Sequence, residues 1–367
     1  MMSYPRKTTF SRALLLLSAL LMLSIITSLG RRGETLKSLP EISKTSEQFS
    51  AVAEADMMAQ QYRRELLEKR CISTKSLKTF DYLIERPWLL RWLIYNDEHR
   101  LMYCYVPKVS CTQWKKLFGI LSGVFPNVPF NSINSGHAHE PNLFPSLAQL
   151  PEPEIRRRLE TYTSFMFTRH PLERMASAYR DKLSPGNTVY RQQYAAKIMG
   201  QPNGSISIHN RQNTSLPLDE LPTVTFDKFA EWIVRAGPVD LDTNSKKAQH
   251  DEHWRPMVDL CHPCTIPYTV LGRTATLDED ARLVLRTANI TSVKFPEGYR
   301  SATPGVTESL VSTVPSAVLK GVLRHYLHDL FLFGYRPQAV FHENATARDI
   351  TQNMYEELLA EAMMPHT

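Results

Sequence analysis

The sequence predicts an α/β domain, and two strand–loop–helix units carry that prediction. In the first, Leu101, Tyr103, Tyr105 and Val106 suit a short buried strand. Trp114, Leu117, Phe118 and Leu121 then recur at three- and four-residue steps, which marks one face of a helix. In the second, Ser164-Phe-Met-Phe-Thr168 reads as an apolar strand, and Pro171 suits the first turn of a helix. Leu172, Met175, Ala176, Tyr179 and Leu183 form that helix's buried face. With 367 residues and 43% hydrophobic content, the chain can build one large domain or two ordinary ones.

Each junction carries groups that suit an anion. The first backbone N–H groups of a helix have no partner within it, and its dipole favours negative charge there. Lys108 adds a full charge, and Ser110 and Thr112 add hydroxyl donors. No glycine lies between Leu101 and Phe118, so the nucleotide-binding pattern Gly-x-x-x-x-Gly-Lys-[Ser/Thr] is absent. Taken alone, this stretch also reads as an ordinary strand–turn–helix with a surface lysine. The second junction shifts the balance. Arg169 ends its strand, and Ser177 lies two turns into its helix. Two such junctions could grip the two ends of one bis-phosphorylated ligand.

These residues resemble a known family. Val106-Pro-Lys-Val-Ser-Cys-Thr-Gln-Trp-Lys115 resembles the 5′-phosphosulfate loop of Golgi carbohydrate sulfotransferases. Phe167-Thr-Arg-His-Pro-Leu-Glu-Arg-Met-Ala-Ser-Ala-Tyr-Arg180 resembles their 3′-phosphate segment. Within sulfotransferase family 2, the nearest group is the chondroitin and dermatan 4-O-sulfotransferases with the natural killer epitope sulfotransferase. His253-Trp254, Leu260-Cys-His-Pro-Cys264 and Tyr326-Leu-His-Asp-Leu-Phe-Leu-Phe-Gly-Tyr335 fit the same group. The resemblance covers about Leu101 to Tyr335, and four ordered motifs together are specific.

The resemblance implies a three-layer, P-loop-like α/β sulfotransferase domain with a parallel sheet, placed at 91–340. It implies 3′-phosphoadenosine 5′-phosphosulfate as co-substrate and a glycan hydroxyl as acceptor, on an anionic or amino-sugar chain. Pro107, Lys108, Val109, Ser110, Cys111, Thr112 and Gln113 would bind one end of the donor. Arg169, His170, Pro171, Leu172, Glu173, Arg174, Met175, Ala176 and Ser177 would bind the other. Lys108 would neutralise the leaving phosphate oxygen, and Arg169 and Ser177 would hold the 3′-phosphate. Lysine and arginine supply the positive charge, so no metal is required. A histidine in the loop between the two segments is the implied base: His137 first, then His139, with Glu140 and His253 as alternatives. His253, Trp254 and Arg255 are expected at the acceptor. His170 stands where relatives often carry an acidic residue, which leaves the local pairing of Arg169 open.

The rest of the chain fits a membrane-anchored enzyme. After a short tail at 1–12 with Arg6, Lys7 and Arg12, Ala13 to Leu29 is uncharged and just long enough to span a bilayer. A cleaved signal peptide is the rival reading. The run exceeds a usual signal core and no clear small-x-small site follows it, which favours an uncleaved anchor. Arg31, Arg32 and Lys37 follow the run, so charge does not set its orientation. The resemblance implies a single-pass type II protein of the Golgi membrane with a luminal C-terminal domain. Sequons at Asn203, Asn213, Asn289 and Asn344 accord with that side.

Residues 30–90 are expected to form a luminal stem. Glu41 to Glu85 lacks Pro and Gly and reads as helical, with a disordered linker as the alternative. The domain itself should begin near Phe80 to Trp92. Gly119 to Pro153 and Leu183 to Pro222 read as polar loops, the second as a surface insertion. Phe226 to Val234 reads as an amphipathic helix, and 341–367 as a C-terminal tail.

Cysteines at 71, 104, 111, 261 and 264 are expected to form disulfides in an oxidising lumen, in an order that sequence leaves open. Cys261 and Cys264 lack a second ligand pair at zinc spacing. The net charge of +6 suits an anionic partner. No basic run interleaved with aromatics points to nucleic acid. Two rivals remain at this stage: a silent glycan-binding protein of the same fold, and a kinase, which the missing glycine-rich loop disfavours.

Overall fold

The computed structural model describes residues 40–74, 78–184, 186–200, 222–243, 251–298 and 304–363. The chain divides into two compact units, Met1–Ala55 and Asp56–Thr367. Of the first, residues 40–55 are described, and they are helical. The run Ala13–Leu29 lies outside the described residues, and among those no helix is long and apolar enough to cross a membrane.

In chain order the elements are α1 (Pro40–Ser73), α2 (Phe80–Ile84), β1 (Leu93–Asn96), β2 (Leu101–Cys104), α3 (Cys111–Leu121), α4 (Glu152–Thr161), β3 (Thr163–Thr168) and α5 (Pro171–Lys182). Then come α6 (Thr188–Ile198), α7 (Phe226–Ala236), α8 (Met257–Cys261), β4 (Val270–Arg273), α9 (Leu277–Thr287), α10 (Pro304–Val311), α11 (Ser316–His325), α12 (Leu327–Phe333) and α13 (Ala345–Met363). The sheet runs β1-β2-β3-β4. β2 pairs β3 in parallel, with Leu101 opposite Thr163, and β3 pairs β4 in parallel, with Phe165 opposite Val270. β1 adds an antiparallel edge, with Leu93 opposite Cys104. The central strands are buried almost throughout, as their continuous apolar runs require.

This order brings the two expected junctions together. β2 feeds α3 and β3 feeds α5, and the strands are parallel neighbours. Their C-terminal ends therefore lie side by side, where open α/β sheets bind ligands. Trp114 pins α3 to the sheet, with ring centroids 4.5 Å from Phe165, 5.3 Å from Phe167 and 4.7 Å from Phe295. Tyr103 stacks on Phe165 at 4.7 Å across β2 and β3. Burying a side chain such as Phe165 contributes about 1.5–3 kcal/mol, so the start of α3 is firmly placed. A second core gathers α5, α7 and α11 around Trp254, Phe229 and Tyr326. The amphipathic helix expected from Phe226 is α7, and it buries Phe226, Phe229, Ala230 and Ile233.

Three stretches differ from the sequence expectation. The stretch assigned to a stem is not all spacer, because α1 packs on the sheet from Asp56 onward. The Gln60 amide donates to Leu271 O at 3.2 Å and accepts from Leu271 N at 2.9 Å. One side chain thus satisfies part of the open edge of β4, as a further strand would. Arg63 meets Asp280 at 2.8 Å beside it. The expected tail contains α13, which buries Thr351 and Leu358 and pairs Glu357 with Lys320. The expected surface insertion after Leu183 contains α6, whose Arg191, Ala195, Ala196 and Ile198 are buried. Its buried face, made of an arginine, two alanines and an isoleucine, is too weakly apolar to mark a helix.

Two disulfides join Cys71 to Cys264 and Cys104 to Cys261, with Cα atoms 5.5 and 5.8 Å apart. One staples α1 to the segment after α8, and the other staples α8 to β2. Cys111 is free and buried, and burial pushes its thiol up to about 11. A thiol held protonated in this way is a poor nucleophile. Asn289 and Asn344 are exposed, while Asn203 and Asn213 lie outside the described residues.

Candidate active site

The loop from β2 to α3 is held in an unusual backbone shape. Lys108 and Ser110 both have left-handed φ, 72° and 73°, without glycine. Such residues cost about 1–2 kcal/mol each and persist only where the surroundings impose them. Here the surroundings are two buried arginines from the β3–α5 junction. Arg174 donates to Pro107 O at 3.0 Å, Arg255 O at 2.6 Å and Glu252 O at 2.6 Å. Arg169 donates to Lys108 O at 3.3 Å and to Glu173 Oε2 at 3.2 Å. The loop is thus clamped against the second junction. Left-handed turns at a helix start aim backbone N–H groups into an anion nest.

A cavity of about 1150 Å³ opens over this loop. Pro107, Lys108, Ser110, Cys111, Thr112 and Gln113 line it, as do Arg169 and Ser177. Both expected phosphate segments therefore reach one space, large enough for a nucleotide and part of a second substrate. Ser110 Oγ and Gln113 Oε1 are buried without a hydrogen-bond partner. Buried polar atoms are normally paired, so these two fit a polar ligand. Lys108 Nζ lies 3.0 Å from Asp181 Oδ2. Burial lowers the Lys108 pKa, and Asp181 opposes that shift. Burial would raise the Asp181 carboxyl, but Lys108 and Lys182 outweigh it and hold it below the usual range.

Other predicted residues take structural posts. Val109 is buried, as are Pro171, Leu172, Met175 and Ala176 on α5. Arg174 braces backbone carbonyls instead of lining the cavity. His170 caps α5: its Nδ1 accepts from Leu172 N at 3.3 Å, and its Nε2 donates to Arg336 O at 3.0 Å. An acidic residue there could accept but not donate, so histidine ties the helix start to the chain after α12. Burial keeps the ring's pKa low and its neutral form in place.

The histidines separate clearly. His137 and His139 share one 3₁₀ turn around buried Ala138. The His137 side chain is 67% exposed, 4.0 Å from Glu140, and lies off the cavity. His139 lines the cavity, with Nε2 2.9 Å from Thr112 Oγ1. His139 is exposed, yet desolvation by the surrounding protein, with the nearby Lys115 adding to it, pushes it down to about 4. Of the two, His139 reaches the cavity and His137 does not: two residues along a tight turn face different ways.

Of the expected acceptor residues, only His253 reaches the cavity. Its Nδ1 lies 2.6 Å and its backbone N 3.0 Å from Asp251 Oδ1. Tyr190 OH stands 3.3 Å from the same ring nitrogen. Trp254 and Arg255 are instead buried. Trp254 packs on Tyr194 at 4.9 Å and Phe229 at 5.4 Å. The chain turns inward after His253 because Arg174 holds the carbonyls of 252 and 255, and Asp329 accepts from Met257 N and Val258 N.

Several lining residues escaped the sequence reading: Arg91, Tyr105, Lys115, Asp181, Tyr190, Tyr194 and Glu252. Lys115 Nζ sits 3.7 Å over the Tyr105 ring. Tyr190 and Tyr194, four apart on α6, were the available signal, since such pairs share a helix face.

The sequence model of the Sulfotransferase family matches residues 91–336. Carbohydrate sulfotransferase 14 of Danio rerio is 35% identical over 256 residues, 69% of this chain and 64% of its own length. Carbohydrate sulfotransferase 11 of Rattus norvegicus is 31% identical over 280 residues, 75% of each chain. Carbohydrate sulfotransferase 12 of Xenopus laevis is 29% identical over 304 residues, 78% of this chain and 70% of its own. The match thus spans just under two thirds of the first of these relatives. No solved structure matches significantly. The lysine loop, the arginine–serine segment and the sheet that joins them all fall inside the matched region, and the chain belongs to the sulfotransferase family, among the relatives of the carbohydrate O-sulfotransferases.

Proposed function

We propose that the chain moves a sulfuryl group from 3′-phosphoadenosine 5′-phosphosulfate to a hydroxyl of a glycan. The acceptor is a chondroitin- or dermatan-type chain or a terminal glycoprotein epitope. One observation carries this reading: Lys108, Ser110, Arg169, Ser177 and His139 line a single cavity. The donor supplies an activated sulfur. The chain's residues place it, balance its charge and take up a proton. Ser110, Thr112 and the first N–H groups of α3 hold the 5′ end, and Arg169 and Ser177 the 3′-phosphate. The acceptor oxygen attacks sulfur as the bond to the phosphate oxygen breaks. Lys108 balances charge on that leaving oxygen, and His139 Nε2 accepts the hydroxyl proton. In-line group transfer of this kind depends mainly on position and electrostatics. Lysine and arginine provide the cations, so the scheme invokes no metal.

The direct test is transfer of radiolabelled sulfate from this donor to a panel of desulfated glycans. No transfer to any of them would overturn the reading in favour of a silent binding protein.

Arg169 gives a sharper test of the donor. Arg169→Ala should weaken adenosine 3′,5′-bisphosphate binding about ten- to a hundredfold, the loss of one charge-assisted contact of roughly 1.5–3 kcal/mol. Binding of the 5′-monophosphate should change much less. Calorimetry with both ligands separates the cases. Equal losses would mean that Arg169 acts only by clamping Lys108 O.

The proposed setting is the Golgi membrane, with residues 13–29 as a type II anchor and the sulfotransferase domain luminal. Two disulfides support an oxidising compartment, and Asn289 and Asn344 are exposed sequons. Endoglycosidase treatment of protein made in animal cells should increase gel mobility. Unchanged mobility would remove the glycosylation argument for the lumen.

A further inference from the structure

The segment before α8 turns two adjacent carboxylates toward the cavity, Asp251 and Glu252, and they differ in one respect. Asp251 is occupied. His253 N and Nδ1 lie 3.0 and 2.6 Å from one of its oxygens, and Tyr194 OH lies 3.3 Å from the other. The Glu252 carboxylate has no hydrogen bond or ion pair among the described residues. Its place on the wall is nevertheless set, because Arg174 Nη2 donates to Glu252 O at 2.6 Å. The side chain is half-buried, and burial raises its pKa, a shift that the nearby His253, Lys115 and Arg91 oppose. Tyr105, Tyr190 and Tyr194 line the same cavity and lie within reach of its charge.

An ionised carboxylate only accepts hydrogen bonds, and it has room for several donors. A cavity wall that leaves such a group without a partner suits a ligand rich in donors and poor in negative charge. The phosphates and the sulfuryl group of the donor do not meet that description. A neutral sugar ring, with hydroxyl and amide N–H groups, does. We propose that Glu252 is an acceptor-binding residue that takes the hydroxyl and amide donors of a neutral sugar ring, and that its charge excludes a ring already sulfated at that edge. A sulfate there replaces a hydroxyl donor with a like charge. Attraction of the right ring and repulsion of the wrong one thus come from one side chain. In a chain that alternates with uronic acid, the ring held at Glu252 is the neutral one. Arg91 and Lys115 favour the charged form of the group that does the sorting. The inference deepens the glycan reading above and rests on it.

The test is steady-state sulfate transfer at saturating donor by wild-type, Glu252→Gln and Glu252→Ala protein. Two acceptors are compared: desulfated chondroitin, and the same chain keeping one sulfate on each neutral ring. Adenosine 3′,5′-bisphosphate affinity is measured by calorimetry on the same proteins. Both substitutions should raise KM for desulfated chondroitin about ten- to a hundredfold, the loss of charge-assisted hydrogen bonds. Turnover should fall far less, and bisphosphate affinity should stay close to wild type. Wild-type protein should favour the desulfated chain by kcat/KM. In Glu252→Gln that preference should shrink by a similar factor, because the sulfated chain never made those bonds and no longer meets a like charge. A merely structural role would weaken both chains alike and leave the preference in place. Unchanged acceptor KM in both variants would overturn the proposal, as would a wild-type preference that survives in Glu252→Gln, or no wild-type preference at all. Parallel loss of bisphosphate and acceptor affinity would reduce Glu252 to a support of the fold and overturn it too. Wild-type protein that transfers sulfate to neither desulfated chondroitin nor desulfated dermatan would instead overturn the chondroitin-type acceptor reading, and the proposal with it.

Discussion

Lys108→Ala should cut single-turnover sulfate transfer about a hundred- to a thousandfold while weakening adenosine 3′,5′-bisphosphate binding far less. Removing one preorganised donor aimed at developing charge costs about that much in rate. The imbalance follows from the site. In the structure, Lys108 is drawn to Asp181 at 3.0 Å, so part of its attraction is spent before any ligand arrives. Charge on the bridging oxygen grows only as the sulfuryl group leaves. A cation whose gain is concentrated there lowers the barrier more than it tightens binding. The measurement is rapid-quench transfer at saturating donor, with folding checked by thermal melting. Near-normal turnover in folded Lys108→Ala protein would sink the assignment of Lys108 to the leaving oxygen.

The sequence revealed the two junctions but not what holds them. Leu101–Val106 and Ser164–Thr168 are short apolar runs that end in turn chemistry, a local signal that local rules can read. That β2 and β3 are adjacent and parallel is a non-local fact, and it is what makes one site from two motifs. The roles of Arg169 and Arg174 show the same divide. Both stand in the recognised segment. Only the fold shows that Arg174 spends all its reach on the carbonyls of Pro107, Arg255 and Glu252. Trp254 looked like an acceptor residue because it follows His253, yet it packs in the second core. Gln60 offered no sign at all. Its amide is complementary to the open edge of β4, and no spacing rule marks a glutamine for that purpose. Disulfide order was open for a related reason, since Cys71 and Cys264 meet only once α1 lies against the sheet.

His139→Ala should slow turnover about a hundred- to ten-thousandfold, the span of a lost general base, and His137→Ala should leave it close to unchanged. The contrast comes from position. Both residues are exposed, but His139 lines the cavity with Nε2 2.9 Å from the Thr112 hydroxyl, whereas the His137 ring lies off it. That nitrogen has a single lone pair, so an acceptor hydroxyl takes it as a base only by displacing Thr112 Oγ1. The pH dependence adds an independent check. Desolvation by the surrounding protein and the charge of Lys115 hold His139 near 4, so its ring is neutral at neutral pH and remains so in mild acid. The acid limb of kcat/KM due to this residue should therefore lie near pH 4, well below the ordinary histidine value of about 6.5. In His139→Ala that limb should vanish, and raising the pH should recover part of the rate as hydroxide replaces the missing base. A base with so low a pKa is weak in the free enzyme. A bound polyanionic donor would raise it, because nearby negative charge favours the imidazolium. The limb in kcat should thus lie above the limb in kcat/KM. Near-normal turnover in folded His139→Ala would move the base to His253, whose Nδ1 is already oriented by Asp251. Coincident acid limbs in kcat and kcat/KM would show that the donor does not reach the histidine.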